Sequence, residues 1–229
     1  MLLLLDYDGT LTPIVDKPSE AKISPERKKL ITHLSLKHTL ALVTGRDINS
    51  LIEVFGNIPD SVYAVVSHGM DIYRGGKPVH RHESLGIPDL RPLLSGIKGL
   101  KGVELERKDS GFALHYRNCP ECEEVVRRAF YEFLKSNPPA KVIEGKKVLE
   151  ALYGHFDKGI GVKKLIELTD WRDFKNMLYV GDDTTDLDAM RVIKSLGGRT
   201  AFVGEEKPPE ADILLRSVEE VYEFLSTLK

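Results

Sequence analysis

Leu2-Leu3-Leu4-Leu5-Asp6-Tyr7-Asp8-Gly9-Thr10-Leu11-Thr12 decides how the rest of the chain is read. Four leucines in a row, with no polar alternation, fit a strand buried on both faces, as in a parallel sheet covered by helices. The run stops abruptly at an acidic loop containing glycine. In an open α/β sheet such a loop lies beyond the carboxyl end of its strand, where these folds bind ligands. The run also lacks a basic leader and meets Asp6 too soon for a signal peptide or a membrane helix.

Similar apolar runs follow at 40–43, 62–66, 177–180, 200–203 and 212–215. Two of them end in further polar clusters, Thr44-Gly45-Arg46 and Gly181-Asp182-Asp183-Thr184-Thr185-Asp186. Between the runs the period is helical. Ile48, Leu51, Ile52 and Phe55 follow Asp47, a capping residue. Val218, Val221, Tyr222 and Leu225 follow Ser217, which with Glu220 spells a capping box. Ser24 before Pro25 is a third helix start. Strands alternating with helices predict a doubly wound, Rossmann-like parallel-sheet core of the α/β class.

The stretch from 83 to 153 is different. Strands with alternating polarity are expected at 103–108, 111–117 and 147–152, and a helix over 121–135. Alternation means that one face of the sheet is wet. A parallel core that resumes after such a stretch predicts a core domain of residues 1–82 and 154–229 with an inserted α+β cap domain, 83–153.

The chain has 229 residues, a net charge of −2, 30% charged and 41% hydrophobic residues, which fits a globular protein able to bury a core. Near-neutral charge gives no overall attraction for nucleic acid or an anionic membrane, so neither is expected as a partner. A small ligand held by local groups is favoured, and no obligate protein partner is implied. Two cysteines, Cys119 and Cys122, make no disulfide framework, so the cytoplasm is the expected compartment. A lone CxxC supplies two of the four ligands that structural zinc needs. Cys119-Pro120-Glu121-Cys122 is therefore read as a helix start, with its acidic residues at the positive end of the helix dipole.

If the polar clusters meet at one sheet edge, Asp6, Asp8, Asp182, Asp183 and Asp186 crowd together. Like charges ~4 Å apart repel by a few kcal/mol even at an effective dielectric of about 20, so a cation is required. Oxygen ligands beside a phosphate point to Mg²⁺ rather than zinc.

Asp6-Tyr7-Asp8-Gly9-Thr10-Leu11-Thr12 resembles the first motif of the haloacid-dehalogenase-like phosphatases. Thr44, Lys158 in Asp157-Lys158-Gly159, and Asp182-Asp183 with Asp186 resemble the other three, in order. Within that superfamily the chain is most similar to the trehalose-6-phosphate phosphatase family, through Lys108-Asp109-Ser110-Gly111-Phe112-Ala113-Leu114-His115-Tyr116-Arg117, Gly145-Lys146-Lys147-Val148-Leu149-Glu150 and the Asp182 cluster. It departs from that family at Ser67, at Leu152-Tyr153 and at Leu187.

The resemblance implies a Mg²⁺-dependent phosphatase with a small phosphorylated sugar as substrate. Asp6 would be the nucleophile, Asp8 the general acid and base, and Thr44 and Lys158 the phosphoryl-binding groups. Asp6, the Asp8 carbonyl and Asp182 would hold the metal, with Asp183 and Asp186 around it. Gly45 and Arg46 would face the substrate, and Lys108, His115, Arg117 and Glu150 would present hydroxyl-binding groups from the cap, which would close over the core. Trehalose 6-phosphate is the expected substrate. Sucrose phosphate, a glucosylglycerate-type phosphate and hexose phosphates are alternatives, as are a sugar phosphomutase and a non-enzymatic sugar-phosphate sensor.

Overall fold

The protein is described by a computed structural model that covers residues 1–81, 86–108, 111–139, 141–154 and 156–228. The boundary expected at 82–83, and Asp109 and Ser110 of the family segment, lie outside the described residues. The chain divides into two compact units, Met1–His82 with Phe156–Lys229, and Glu83–His155.

In the first unit β1 (Leu2–Asp6) lies between β2 (Thr39–Val43) and β10 (Met177–Gly181), and is parallel to both. β3 (Val62–Val66) continues the sheet beyond β2, and β11 (Arg199–Val203) and β12 (Ile213–Leu215) continue it beyond β10, all parallel. The chain thus winds one way from β1 through β3 and the other way from β10 through β12. Its switch point falls between β1 and β10.

Alternate leucines of β1 face opposite sides. Leu3 and Leu5 pack with Ile31, Leu34, Leu51 and Val221, which come from α1 (Pro25–Lys37), α2 (Ile48–Phe55) and α7 (Val218–Ser226). Leu2 and Leu4 pack with Val162, Leu165, Ala189 and Ile193, which come from α5 (Lys158–Leu168) and α6 (Thr184–Ser195). Two covered faces explain why Leu2–Leu5 include no polar residue.

The helix starts follow the capping residues. Asp47 accepts from the amides of Asn49 and Ser50, Ser24 from Arg27, and Ser217 from Glu220. The box expected at Ser217 is only half formed, because the Glu220 carboxylate takes the amide of Arg216 instead.

The sheet is not wholly parallel. β4 (Asp71–Arg74) and β5 (Lys77–Arg81) add an antiparallel hairpin beyond β3. Its turn is Gly75-Gly76, both at positive φ, the two-glycine connection that suits the twist of a hairpin.

The second unit carries four antiparallel strands, β6 (Glu104–Lys108), β7 (Gly111–His115), β8 (Lys141–Gly145) and β9 (Val148–Leu152), in the order β6-β7-β9-β8. One face, with Phe112, Leu114, Leu149 and Ala151, packs with Val126, Phe130 and Phe133 of α4 (Glu123–Ser136) and Leu93 of α3 (Arg91–Gly96). The other carries Glu106, Lys108, His115 and Glu150.

Three sequence expectations need correction here. β7 ends at His115, so Arg117 is not a strand residue; it is half-buried and reaches the carbonyl of Lys146. The helix expected from 121 begins as a 3-10 turn, Pro120–Cys122, before α4. Cys119 and Cys122, read as an unpaired helix start, are joined by a disulfide, their Cα atoms 5.3 Å apart, within the span such a bridge requires. Among the described residues no helix is long and apolar enough to cross a membrane.

Candidate active site

β1 and β10 run in parallel register, Leu5 beside Val180, so the residues just past them leave the sheet side by side. Asp6 ends β1, and Asp182 follows β10. The Asp8-Gly9 turn runs against the Asp182 carboxylate. A Cβ at Gly9, whose φ is +86°, would sit 1.9 Å from Asp182 Oδ2. Only glycine allows both that backbone and that approach. The hydroxyl of buried Thr10 donates to Asp182 Oδ1 at 3.3 Å.

Lys158 enters from the opposite side of this cluster in sequence terms, on the first turn of α5, whose amide at Ile160 is capped by Asp157. Its ammonium donates to Asp6 Oδ1 and to Asp186 Oδ1, both at 2.7 Å, and the side chain is almost fully buried. Asp186, on the first turn of α6, also accepts from the Tyr179 hydroxyl and from the amides of Asp182 and Asp183. Four donors therefore hold Asp186 and leave it little to offer a ligand.

The electrostatics follow from three carboxylates meeting one ammonium. Burial raises the Asp6 carboxyl well above the usual range, and the charges of Asp186 and Asp182 add to this against the pull of Lys158. Burial and Asp186 push Asp182 up to about 7. Burial works against the Lys158 cation, but Asp186 and Asp6 outweigh it and hold the ammonium above its ordinary value. The excess negative charge calls for a further cation.

Asp6, Asp182 and Asp186 can each place an oxygen within 4.8 Å of the others' oxygens, so the cluster can hold a metal ion. Because Asp186 is committed to its four donors, Asp6 and Asp182 are the better-placed ligands. An all-oxygen donor set suits a hard divalent ion.

Thr44, at the end of β2, is buried and its Oγ1 accepts the Arg46 amide at 3.1 Å. Gly45 lies against the His68 ring. Arg46 grips Asp8, with Nε on Oδ2 and Nη2 on Oδ1, both at 2.7 Å. Asp183, expected beside the metal, caps α6 through the Thr184 amide. Tyr179 and Thr10 were missed in the sequence. Tyr179 reads as one more apolar strand residue, and only its distance from Asp186, seven positions on, gives it a role.

In the second unit, Lys108 Nζ binds Glu150 Oε1 at 2.6 Å, and His115 Nε2 lies 2.8 Å from Glu106 Oε2. Glu106 is a fourth polar member of that face. Its place two residues before Lys108 on an alternating strand was enough to find it.

A doubly wound sheet with a carboxylate on each side of its switch point and a buried lysine between them defines a hydrolase of the haloacid-dehalogenase-like superfamily. The profile of the trehalose-phosphatase family matches residues 4–208. The chain belongs to the trehalose-phosphatase family, whose members are phosphoric monoester hydrolases. It is 31% identical over 263 aligned positions to "Probable trehalose-phosphate phosphatase 2" of Oryza sativa subsp. japonica, covering 100% of this chain and 68% of that protein. The crystal structure of a trehalose-6-phosphate phosphatase related protein superposes with a TM-score of 0.83 at 23% identity, covering 100% of this chain and 96% of the other. The C-terminal domain of the trehalose-6-phosphate phosphatase of C. albicans superposes with a TM-score of 0.81 at 26% identity, covering 99% and 91%.

Proposed function

We propose that this enzyme is a Mg²⁺-dependent phosphatase that hydrolyses trehalose 6-phosphate to trehalose and inorganic phosphate through an aspartyl phosphate on Asp6. The single observation that carries the reading is the meeting of Asp6, Lys158, Asp182 and Asp186 at one end of β1 and β10. Membership of the trehalose-phosphatase family supports the sugar ester as substrate.

Asp6 attacks phosphorus, and the bond from phosphorus to the sugar oxygen breaks. Asp8 gives that oxygen a proton, then as a carboxylate takes one from the water that attacks the aspartyl phosphate. Thr44 and the Lys158 ammonium bind phosphoryl oxygens, and Gly45 lets the backbone approach them. Asp6, Asp182 and the Asp8 carbonyl would hold Mg²⁺, while Asp186 fixes Lys158 and Asp183 fixes α6. The bound ion would supply positive charge for the transferring phosphoryl group. On the second unit, Lys108, Glu150, His115 and Glu106 form the proposed hydroxyl-binding face, with Arg117 at its margin.

The test is phosphate release from a panel of sugar phosphates, with Mg²⁺ present and then chelated. Trehalose 6-phosphate should give the highest kcat/KM, and chelation should abolish turnover. A ranking below glucose 6-phosphate, or turnover that survives chelation, would remove the substrate or the metal from the proposal.

A further inference from the structure

Arg46 follows Thr44-Gly45 at the end of β2, the place from which a guanidinium would be expected to reach a phosphate. Its donors are turned elsewhere. Nε and Nη2 form two parallel hydrogen bonds with the two oxygens of Asp8, at 2.7 Å each. Nη1 donates to Ser50 Oγ at 3.0 Å, and Nη2 also to the carbonyl of Pro18 at 2.8 Å. The guanidinium further lies over the Tyr7 ring, 5.7 Å from its centroid. The Arg46 side chain is 9% exposed against 37% for Asp8, so the fixed member of the pair is the arginine and the reachable one is the carboxylate.

We propose that Arg46 is a positioning residue, which acts on the reaction through Asp8 and does not bind the phosphoryl group. The inference rests on the reading of Asp8 as the acid and base. A planar fork gripping both carboxylate oxygens fixes the plane of that carboxylate as well as its place. Ser50 and Pro18 hold the far edge of the fork, so the orientation is set from α2 and from the 3-10 turn at Pro18–Glu20. Arg46 itself moves no proton. Asp8 loses one to the leaving oxygen in the first half of the reaction and regains one from water in the second, and Arg46 keeps its carboxylate turned to the same point for both.

The experiment is a double-mutant cycle on the full chain in Mg²⁺, with p-nitrophenyl phosphate as substrate and inorganic phosphate as inhibitor, so that no sugar identity is assumed. Arg46→Ala should lower kcat by about tenfold or more in the wild-type background, and by less than about twofold once Asp8→Asn is present. The inhibition constant for inorganic phosphate should stay within about twofold of wild type, since positioning Asp8 is not phosphate binding. Arg46→Lys, which keeps the charge but not the fork, should fall between wild type and alanine, and it covers an unstable alanine variant.

Losses that multiply in the Asp8→Asn background, or phosphate inhibition weakened about tenfold, would overturn the proposal, the second by making Arg46 a phosphate ligand. Wild-type turnover in Asp8→Asn alone would overturn the reading of Asp8 and this inference with it. A cycle that fails while Asp8→Asn remains impaired removes only the role given to Arg46.

Discussion

Lys158 Nζ lies 2.7 Å from Asp6 Oδ1, although 152 positions separate the two residues in the chain. The contact spans the whole inserted unit. It joins the end of the first strand to the first helix formed after the chain returns, so the electrostatics of the cluster exist only when both parts of the first unit are assembled.

Asp6→Asn keeps the shape of the side chain and replaces the carboxylate oxygen that attacks phosphorus in the proposed route. Activity should fall at least about a thousandfold, and no acid-stable label should appear on the protein after quenching with radiolabelled substrate. Wild-type turnover in this variant would exclude a covalent route through position 6.

Lys158→Met removes the cation from a buried pair and leaves Asp6 and Asp186 facing each other. Breaking such a pair on one side costs about 3–5 kcal/mol, so denaturant midpoints in the presence of a chelator should drop clearly. Turnover should be lost as well. A variant with unchanged midpoint would mean that the ammonium does not offset the carboxylates.

Without a divalent ion, the contribution of Asp182 to stability should decline as pH rises from about 4 toward 7. The reason lies in the sign of the linkage. Asp182 is held near 7 in the folded chain, against about 3.9 in an unfolded one, so between those values the folded state binds more protons. Added Mg²⁺ should raise the melting temperature, and raise it more at pH 8 than at pH 5. Equal stabilisation at the two pH values would contradict the placement of the ion at this cluster.

Gly9→Ala forces a methyl group into the space of the Asp182 carboxylate. The expected result is weaker Mg²⁺ binding by calorimetry and a loss of stability of about 1–3 kcal/mol from the strained positive φ. Binding and stability equal to wild type would show that the turn can move away.

Lys108→Met and Glu150→Gln each break one partner of a pair that is about nine-tenths buried. If that face binds sugar hydroxyls, kcat/KM for trehalose 6-phosphate should fall about tenfold or more relative to p-nitrophenyl phosphate in the same preparation. An unchanged ratio would assign the pair to the stability of the second unit alone.

The strands of the parallel sheet were legible because burial on two faces leaves uninterrupted apolar runs, and the clusters at Asp6, Thr44 and Asp182 because polar residues directly end those runs. The β4–β5 hairpin was overlooked although Gly75-Gly76 marks its turn, since its strands mix Pro78, His80 and Arg81 with few apolar residues. Partnerships were harder to read than positions. Nothing in one dimension says that Arg46 turns to Asp8 or that Tyr179 reaches Asp186, because each depends on side-chain direction between elements, whereas Asp183 ahead of Thr184 could be read as a helix cap from sequence alone. The Cys119–Cys122 pairing was missed for another reason: two cysteines were judged too few for a framework, which says nothing about one local bridge.

Gly161 of α5 and Gly69 of the turn after β3 meet with no side chain between them; a Cβ on Gly161 would stand 2.5 Å from the Gly69 Cα. This backbone-on-backbone seat lies one helical turn from Lys158 and fixes where α5 begins. The ammonium is therefore delivered by a joint that belongs wholly to the first unit. The polypeptide between Arg81 and Asp157 takes no part in that joint, so a change in its length need not move the ammonium away from Asp6.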